Sequence, residues 1–385
     1  MSKLKQLSRL IGLAFFLVIY CSCTTVITNL AEGEVDKTKD NEKPVFISNV
    51  NWKAIDLPIH GESLVLSDDN IFVIGIEEVR GTEEIVSLNQ KMEVQKLPPI
   101  KVISEYTTKD GGLTREVSKL EKKDKESRNY KAYLCPPENA AFLSKNLYVF
   151  SICEHTTQLW KVTFDEKSTL LNLINFTYYD IDSGDKSVFG PYGLSTKNSK
   201  ALFPSSIKKG PALLTEDKRT GNLKVAWQGV AEDGGVVAVD FIGRNGWMLL
   251  GGGKFLQSFD GGETWQYFSN TRLKAEDIVV DLKFRNEQEG YIIGLNGLIL
   301  STINGGKTWE FQNSGINTTL YEIAINENTV AVSGLDGSLL INRKGNGKWD
   351  KIEAKPDGNI SDLLFYNDKL HVLIEGKLYI SNGYR

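Results

Sequence analysis

Residues 290–309, GYIIGLNGLILSTINGGKTW, contain the pattern that decides the fold. Two short apolar runs, at 290–294 and 298–301, are separated by Asn296-Gly297, and a glycine-rich turn then leads to Trp309. The second of these runs follows a glycine turn, and glycine is typical of turns between short strands. The stretch therefore predicts successive short strands joined by glycine turns.

The same pattern recurs through the C-terminal half with a period of about 40 residues. Trp265, Trp309 and Trp349 are 44 and 40 residues apart, and Gly294 and Gly334 are again 40 apart. An apolar first strand opens each unit, at residues 236–241, 279–284, 320–325 and 360–365. Independent markers that keep one phase are typical of repeat proteins, and four short strands in each unit predict the blade of a β-propeller.

The sequence predicts an all-β fold, a seven-bladed β-propeller with four-stranded antiparallel blades. Four blades fall in the C-terminal half, and three more divergent ones can be placed at about 64–88, 141–164 and 192–227. Because the last unit ends after its third strand, we expect a strand near residues 50–57 to pair with Leu378–Ser381 and close the ring. Six or eight blades are the alternatives, since the second unit is stretched.

We predict a single propeller over residues 46–385 with a charged insertion at about 100–139. Between Glu105 and Lys131, 14 of 27 residues are charged. Such a segment is longer than an ordinary connection between blades. It is either a solvated insertion or an arm that docks a partner.

The N-terminus has the pattern of a lipoprotein signal peptide over residues 1–22. Three basic residues precede an apolar run at 10–20 that is too short to span a bilayer comfortably. Cys23 follows a small serine, so we predict that it is acylated, with plain cleaved export or a retained anchor as alternatives. Residues 23–45 are predicted to be a flexible tether. Thr24 is not the aspartate that favours the inner membrane, so we expect lipid anchoring to a bacterial membrane, preferably the outer one.

With Cys23 acylated, Cys135 and Cys153 carry the two thiols that remain in the mature chain. An even pair in an exported protein predicts a disulfide bond. Closing this loop would stabilise the fold by about 3 kcal/mol. Two buried free thiols, or a redox centre, are the alternatives.

Two segments share the pattern Ser/Thr-x-Asp/Asn-x-Gly-x-Thr-Trp: SFDGGETW at 258–265 and TINGGKTW at 302–309. A worn third copy, NRKGNGKW, lies at 342–349. The Asp or Asn side chain accepts hydrogen bonds from turn N–H groups, glycine supplies positive φ, and tryptophan packs into the sheet. We therefore predict structural turns. Their residues are Ser258, Asp260, Gly262, Thr264 and Trp265, and then Thr302, Asn304, Gly306, Thr308 and Trp309.

The composition argues against several kinds of chemistry. With 45 basic and 49 acidic residues, the chain lacks the basic excess that drives binding to nucleic acid. His60, His155 and His371 have no paired metal-ligand spacing, and residues 180–185 resemble a calcium loop only loosely. We therefore expect no metal, no cofactor and no enzymatic activity.

Residues 290–309 resemble the repeat of the photosystem II assembly-factor propellers, within the Asp-box (sialidase-like repeat) superfamily. The resemblance covers about 236–381 and is faint before that. It implies a seven-bladed, exported, non-enzymatic protein that binds membrane-protein assembly intermediates. Members carry basic patches, whereas the C-terminal units here offer few arginines amid many acids: Arg244, Arg272, Arg285 and Arg343.

The function that follows is a membrane-tethered, monomeric, non-catalytic scaffold for a membrane protein or protein complex. Loops on one face of a rigid ring suit this role. The candidate partner-face residues are Arg80, Arg272, Asp277, Asn296 and Asp336. Binding of a glycan or small ligand in the central cavity is an alternative. A sialidase-like glycoside hydrolase is less favoured, because residues 24–79 contain no arginine for a substrate carboxylate.

Overall fold

A computed structural model describes most of the C-terminal half and the strands of the N-terminal half. The described residues are 46–47, 50–55, 57, 59–67, 70–77, 100–106, 116–119, 137–143, 146–152, 157–163, 202–207, 210–216, 223–251, 253–268, 273, 277–344, 348–353 and 358–381.

Short strands make up nearly all of the regular structure in these residues, as the alternation of apolar and polar residues predicts. In chain order they are β1 (Phe46–Ile47), β2 (Trp52–Ile55), β3 (Ile59–Ser67), β4 (Asn70–Glu77), β5 (Ile100–Tyr106), β6 (Glu116–Lys119), β7 (Pro137–Leu143), β8 (Asn146–Ile152), β9 (Thr157–Thr163), β10 (Leu202–Ile207), β11 (Gly210–Glu216), β12 (Leu223–Gln228), β13 (Val236–Ile242), β14 (Asn245–Leu250), β15 (Phe255–Ser258), β16 (Gln266–Phe268), β17 (Val279–Phe284), β18 (Gly290–Gly294), β19 (Ile299–Thr302), β20 (Glu310–Phe311), β21 (Leu320–Ile325), β22 (Thr329–Gly334), β23 (Leu339–Arg343), β24 (Asp350–Ile352), β25 (Ile360–Tyr366), β26 (Lys369–Ile374) and β27 (Lys377–Ser381). Short 3₁₀ turns occur at Ala231–Asp233, Leu295–Gly297 and Leu335–Gly337.

The described strands form seven sheets, each built mainly from strands that are consecutive in the chain. Their orders are β3-β4-β5-β6, β7-β8-β9, β10-β11-β12, β13-β14-β15-β16, β17-β18-β19-β20, β1-β24-β23-β22-β21 and β2-β27-β26-β25. Neighbouring strands are antiparallel except β1, which lies parallel to β24. The four-stranded antiparallel units predicted for the C-terminal half are therefore present.

The first sheet departs from the strand positions that the sequence predicts. Its third and fourth strands are β5 and β6, whereas the sequence predicts that the first blade ends at about residue 88. Part of the predicted charged insertion at 100–139 is therefore sheet. Charged residues interrupt the apolar positions of these two strands within a highly charged segment, so no clear strand pattern stands out in the sequence.

First strands of neighbouring sheets pack against one another at six of the junctions between the described sheets. Contacts of this kind join β13 to β17, β17 to β21, β21 to β25, β25 to β3, β3 to β7 and β10 to β13. All of these strands except β10 contain a register shift near their start, as between Val279 and Asp281. A bulge of this kind adds one residue and re-aims the side chain that follows it.

Strand β2, near the N-terminal end of the described residues, lies in the same sheet as β27, at their C-terminal end. Residues Trp52 and Ile55 pair with Ser381 and Leu378, so β2 supplies the fourth strand beside β27. This is the pairing that the sequence predicts. Ile55 is buried in a cluster with Leu64, Leu373 and Leu378, which joins this sheet to the sheet that follows β2 in the chain.

Apolar side chains fill the spaces between adjacent sheets. Trp247 and Phe284 stack with ring centroids 3.7 Å apart, and Trp309 meets Phe284 edge to face. The next space holds Ile293 of β18 and Ile323 of β21. Because every described sheet of the C-terminal half is covered on both faces, its strands are apolar at consecutive positions.

Candidate functional site

The first Asp-box turn is held by its own side chains. Asp260 Oδ1 accepts the backbone N–H groups of Glu263 and Thr264 at 3.0 and 2.9 Å, and Oδ2 accepts the Thr264 hydroxyl at 2.6 Å. Ser258 Oγ accepts the N–H of Gly262 at 2.8 Å. The hydroxyl and N–H of Thr264 hold the pKa of Asp260 below its ordinary value, since both stabilise the carboxylate.

The second turn repeats this network with an amide in place of the carboxylate. Asn304 Oδ1 accepts the N–H of Thr308 at 2.9 Å, and its Nδ2 donates to the Thr308 hydroxyl at 2.7 Å. Thr302 Oγ1 accepts the N–H of Gly306 at 3.0 Å. In the worn third copy, Asn342 Nδ2 donates to the carbonyl of Lys348 at 2.9 Å.

The tryptophans that end these turns pack into the sheets. Trp309 is 1% exposed and meets Phe255 edge to face, and Trp349 is 3% exposed and meets Tyr291 in the same way. Trp265 is only partly buried and packs against Phe241. In these three sheets the turns and their tryptophans connect the outer strands to the apolar core.

Two of the predicted partner-face residues lie in equivalent turns between the second and third strands of adjacent sheets. Asn296 and Asp336 are exposed and adopt left-handed conformations, with φ of 57° and 56°. Glu375, at the corresponding turn of the next sheet, has φ of 47°. Asp277 lies just before β17, in the connection that enters the same sheet as Asn296.

These turns contact the connection into the next sheet or the start of its first strand. The N–H of Gly297 donates to the carbonyl of Thr318 at 2.8 Å, and the N–H of Gly61 donates to the carbonyl of Gly376 at 2.9 Å. A Cβ on Gly297 would lie 2.0 Å from the carbonyl oxygen of Ile316, so only glycine fits there. The turns and connections therefore form one surface, which we call the connection face. Its described residues in the C-terminal half are 229–235, 251, 253–254, 273, 277–278, 295–298, 312–319, 335–338, 353, 358–359 and 375–376.

An ion pair fixes one edge of the connection face. Asp233, 1% exposed, accepts Lys254 Nζ at 2.6 Å and the N–H of Val230 at 2.9 Å, together with the Tyr267 hydroxyl. Although burial raises the pKa of Asp233, the bonds from Lys254 and Tyr267 hold it below its ordinary value. Burial and this carboxylate raise the pKa of Tyr267 to about 12.

Beneath the connection face, charged side chains project from the first strands. We call Asp240, Asp281, Lys283, Glu322 and Asp362 the inner charged group. Asp281, Glu322 and Asp362 each follow the bulge of their strand and pair with Ile293, Ser333 and Leu373 of the second strands. They therefore occupy one equivalent position in three adjacent sheets.

Members of the inner charged group join neighbouring first strands. Lys283 Nζ donates to the carbonyl of Ile323 at 2.8 Å and lies 3.4 Å from Glu322 Oε1. Asp362 Oδ2 accepts the N–H of Leu64 at 2.8 Å. Asp240 Oδ2 accepts the N–H of Phe284 at 2.7 Å. Side chains thus satisfy backbone donors and acceptors where adjacent sheets do not form a ladder.

Burial, together with neighbouring carboxylates, shifts the titration of the inner charged group. Burial raises the pKa of Asp281 to about 7; Lys283 lowers it, whereas the carboxylates of Glu322 and Asp240 raise it. Burial and Glu322 also raise the pKa of Asp362 to about 7, against the N–H of Leu64. Burial lowers the pKa of Lys283, but the surrounding carboxylates more than offset this and raise it overall. Three neighbouring sheets thus share an excess of negative charge.

The sequence contains a signal for the inner charged group that the repeat pattern alone does not reveal. The aligned first-strand runs VVDLKF, LYEIAI and ISDLLF each carry an acidic residue at the third position. A charge at a fixed position of a strand that is otherwise apolar indicates a side chain facing a shared polar interior.

Several predicted residues lie outside the described residues: Cys23, Cys135, Cys153, Arg80 and Arg272.

Among the residues that are described, no group of three His, Cys, Asp or Glu side chains is placed to hold a metal ion. The described part of the chain also contains no helix that is long and apolar enough to cross a bilayer.

A family model described as photosynthesis system II assembly factor YCF48 matches residues 266–359. A search of curated proteins finds no match. This matched segment contains the second and third Asp-box copies, Asn296 and Asp336, and Asp281, Lys283 and Glu322 of the inner charged group.

Solved structures with similar folds cover most of the chain. "YCF48 bound to D1 peptide" has a TM-score of 0.56 and 16% identity, covering 89% of this chain and 98% of its own. The Cps50 (Swd1) β-propeller domain from Myceliophteria thermophila has a TM-score of 0.55 and 12% identity, covering 86% and 99%. Virginiamycin B lyase from Staphylococcus aureus has a TM-score of 0.55 and 9% identity, again covering 86% and 99%. The chain is therefore an all-β protein with β-propeller structural neighbours and Asp-box turns, and it resembles the photosystem II assembly factor YCF48.

Proposed function

We propose that this protein is a non-catalytic scaffold that binds a protein partner on its connection face. The observation that carries the proposal is the match of residues 266–359 to the YCF48 family model. A similar fold has been solved with a peptide bound. The matched residues contribute turns to the connection face, and Asp-box hydrogen bonds hold the outer strands behind them in place.

The proposal includes a closed ring of seven four-stranded blades. The first-strand contacts and the β2–β27 pairing support it. Contacts between the second and third sheets support it further: Tyr148 packs on Phe203 with ring centroids 5.7 Å apart, and its hydroxyl donates to Glu216 Oε2 at 2.8 Å. A closed ring would hold loops from different blades in fixed relative positions, which suits binding of an extended partner.

The non-catalytic part of the proposal rests on the residues of the first strands. A sialidase-like hydrolase needs an arginine cluster at the centre, and the described first strands contain no arginine. Tyr321 donates its hydroxyl to the carbonyl of Ile360 at 2.8 Å, which is a structural bond between neighbouring first strands. Since one similar fold belongs to a lyase, the fold alone does not decide this point.

We further propose that the protein is exported and anchored by a lipid on Cys23, with residues 23–45 as the tether. The signal sequence supports this, and the outer membrane is the preferred site. Cys23→Ser should release the protein from the membrane fraction, whereas the matched control Cys21→Ser should not. Membrane association of Cys23→Ser would reject acylation at this residue. A Cys135–Cys153 disulfide and a monomeric state complete the proposal; non-reducing peptide mapping and sedimentation test them.

Site-specific photocrosslinking in cells tests the scaffold function. A photoreactive residue at Asp336 or Asn296 should form a crosslink to one partner protein. The same residue at Glu327 or Asn286, in exposed turns at the opposite ends of the same sheets, provides the control. Equal crosslinking from both sets of positions, or none from the connection face, would contradict the proposal.

A further inference from the structure

The connection face carries more negative charge than the opposite face. Its described residues in the C-terminal half include six acidic residues and one basic residue, Lys254. The described residues at the opposite ends of these strands, 243–244, 259–265, 285–289, 303–309, 326–328, 344, 348–349 and 367–368, include six acidic and five basic residues. The excess of acidic residues is therefore concentrated on one face.

The inner charged group adds to this excess directly below the face. Four carboxylates accompany the single ammonium of Lys283. Asp281, Glu322 and Asp362 stand only two residues from the start of their strands, which is the end that the connections enter. Charge on the face and charge beneath it therefore act on a ligand from the same side.

A buried hydroxyl beside this group has no partner among the described residues. Ser333 is 0% exposed, and its Oγ has no hydrogen-bond partner there. It pairs with Glu322 across β21 and β22, so both side chains lie on the same side of the sheet. An oxygen that lacks a donor next to a carboxylate is a suitable acceptor for an N–H group from a ligand.

We propose that the connection face and the inner charged group bind a lysine- or arginine-rich segment of the partner protein, with one cationic side chain directed towards Glu322 and Asp281. This inference rests on the proposed scaffold function and names the chemistry of its partner. A cationic side chain beside Glu322 and Asp281 would offset the mutual repulsion of the four carboxylates. Within the inner charged group, Lys283 is the one basic residue. The Ser333 hydroxyl would accept one N–H group of the partner's cationic side chain.

A labelled deca-lysine peptide is the probe, with deca-glutamate as the charge-reversed comparison. We expect the full chain to bind deca-lysine and not deca-glutamate. We also expect it to bind deca-lysine more tightly at pH 8 than at pH 6. The reason is that Asp281 and Asp362 ionise between these values, beside Asp240, Glu322 and Lys283. Fluorescence anisotropy measures both affinities. Tighter binding of spermidine than of the peptide would make a small polyamine the ligand and overturn the proposal.

The decisive variant is Asp281→Asn with Glu322→Gln, which keeps the shapes of both side chains. We expect about tenfold weaker binding of deca-lysine, as for loss of close charge pairs. Glu287→Gln with Glu327→Gln removes the same charge from exposed turns on the opposite face, and its affinity should stay within about twofold of that of the natural chain. Equal losses in the two double variants would show that only overall charge matters and would overturn the inference.

A second pair of substitutions keeps the test informative if the inner variant does not fold. Asp336→Asn with Glu375→Gln changes only surface turns and should weaken binding by about threefold. Unchanged affinity in both connection-face variants overturns the cationic partner. If the affinity is unchanged but a photoreactive residue at Asp336 still crosslinks to a protein in cells, the scaffold function stands and only the cationic nature of the partner is rejected.

Discussion

At the residue scale, hydrogen bonds within single turns explain why the Asp-box pattern predicts its own structure. Asp260 and Asn304 make matching bonds because each accepts from N–H groups only a few residues ahead. The sequence could predict these bonds since every partner lies within the same turn. The inner charged group could not be predicted in this way, because Lys283 and Ile323 are 40 residues apart and meet only through packing of adjacent sheets.

The Asp260 bonds predict a graded response to substitution. Asp260→Ala should lower the free energy of unfolding by about 1–2 kcal/mol, since several turn donors lose their acceptor. Asp260→Asn should cost less than half of this, because Asn304 fills the same role in the next sheet. Urea denaturation measures both changes. Equal costs for the two variants would mean that charge, and not acceptor geometry, holds the turn.

The Asp281 carboxyl predicts a pH-dependent change in stability. Its pKa in the folded protein, about 7, lies above the ordinary value of about 4, so ionisation destabilises the folded state. Stability should therefore fall as pH rises from about 4 to 7, and Asp281→Asn should be more stable than the natural chain at pH 8 but not at pH 4. Thermal unfolding across this range checks the difference. Asp336→Asn, in a surface turn, is the control, and the same pH dependence in both variants would contradict burial of Asp281 as the cause.

At the scale of strands and sheets, the repeat is predictable where apolar periodicity and tryptophan spacing agree. The four C-terminal units meet this condition, and their strands lie where the sequence predicts them. In the first sheet, charged residues interrupt β5 and β6, so their pattern resembles that of a solvated insertion. The pairing of β2 with β27 is still predictable, because the last unit lacks a fourth strand in its own sequence.

Substitution of Trp309 tests how much packing between neighbouring sheets contributes to the free energy of unfolding. Because Trp309 is 1% exposed and meets Phe255 and Phe284, Trp309→Ala should lower the free energy of unfolding by about 3–5 kcal/mol. Phe311→Ala removes an aromatic ring that is 47% exposed on the next strand and should cost far less. Chemical denaturation compares them, and similar costs would mean that Trp309 does not support the core.

Substitution of Ile55 tests how much the pairing of β2 with β27 contributes to the free energy of unfolding. Ile55 is 7% exposed, on the strand that pairs with β27, so Ile55→Ala should cost about 2–4 kcal/mol. Lys53 lies on the same strand with its side chain exposed, and Lys53→Ala should cost less than about 0.5 kcal/mol. Thermal unfolding under the same conditions compares the two variants. Unfolding of both at the same temperature would contradict a stabilising role for β2.

At the scale of the whole molecule, a set of packed sheets supports one acidic face. Asp-box turns and tryptophans stabilise the outer strands, and side chains of the inner charged group link the first strands. We propose that partner binding belongs to the connections, whose exposed positions at Asn296 and Asp336 are not part of the core. The order of strands in the sequence is enough to assign these turns to one face. The partner cannot be predicted in the same way, because its identity also depends on the partner's own residues.

The most direct test is hydrogen–deuterium exchange of the protein alone and in complex with the partner captured by crosslinking at Asp336. We predict slower exchange at residues 295–298, 335–338 and 375–376 in the complex, with no change at residues 285–289, 326–328 and 367–368. Protection confined to the second set, or spread equally over both, would contradict binding through the connection face.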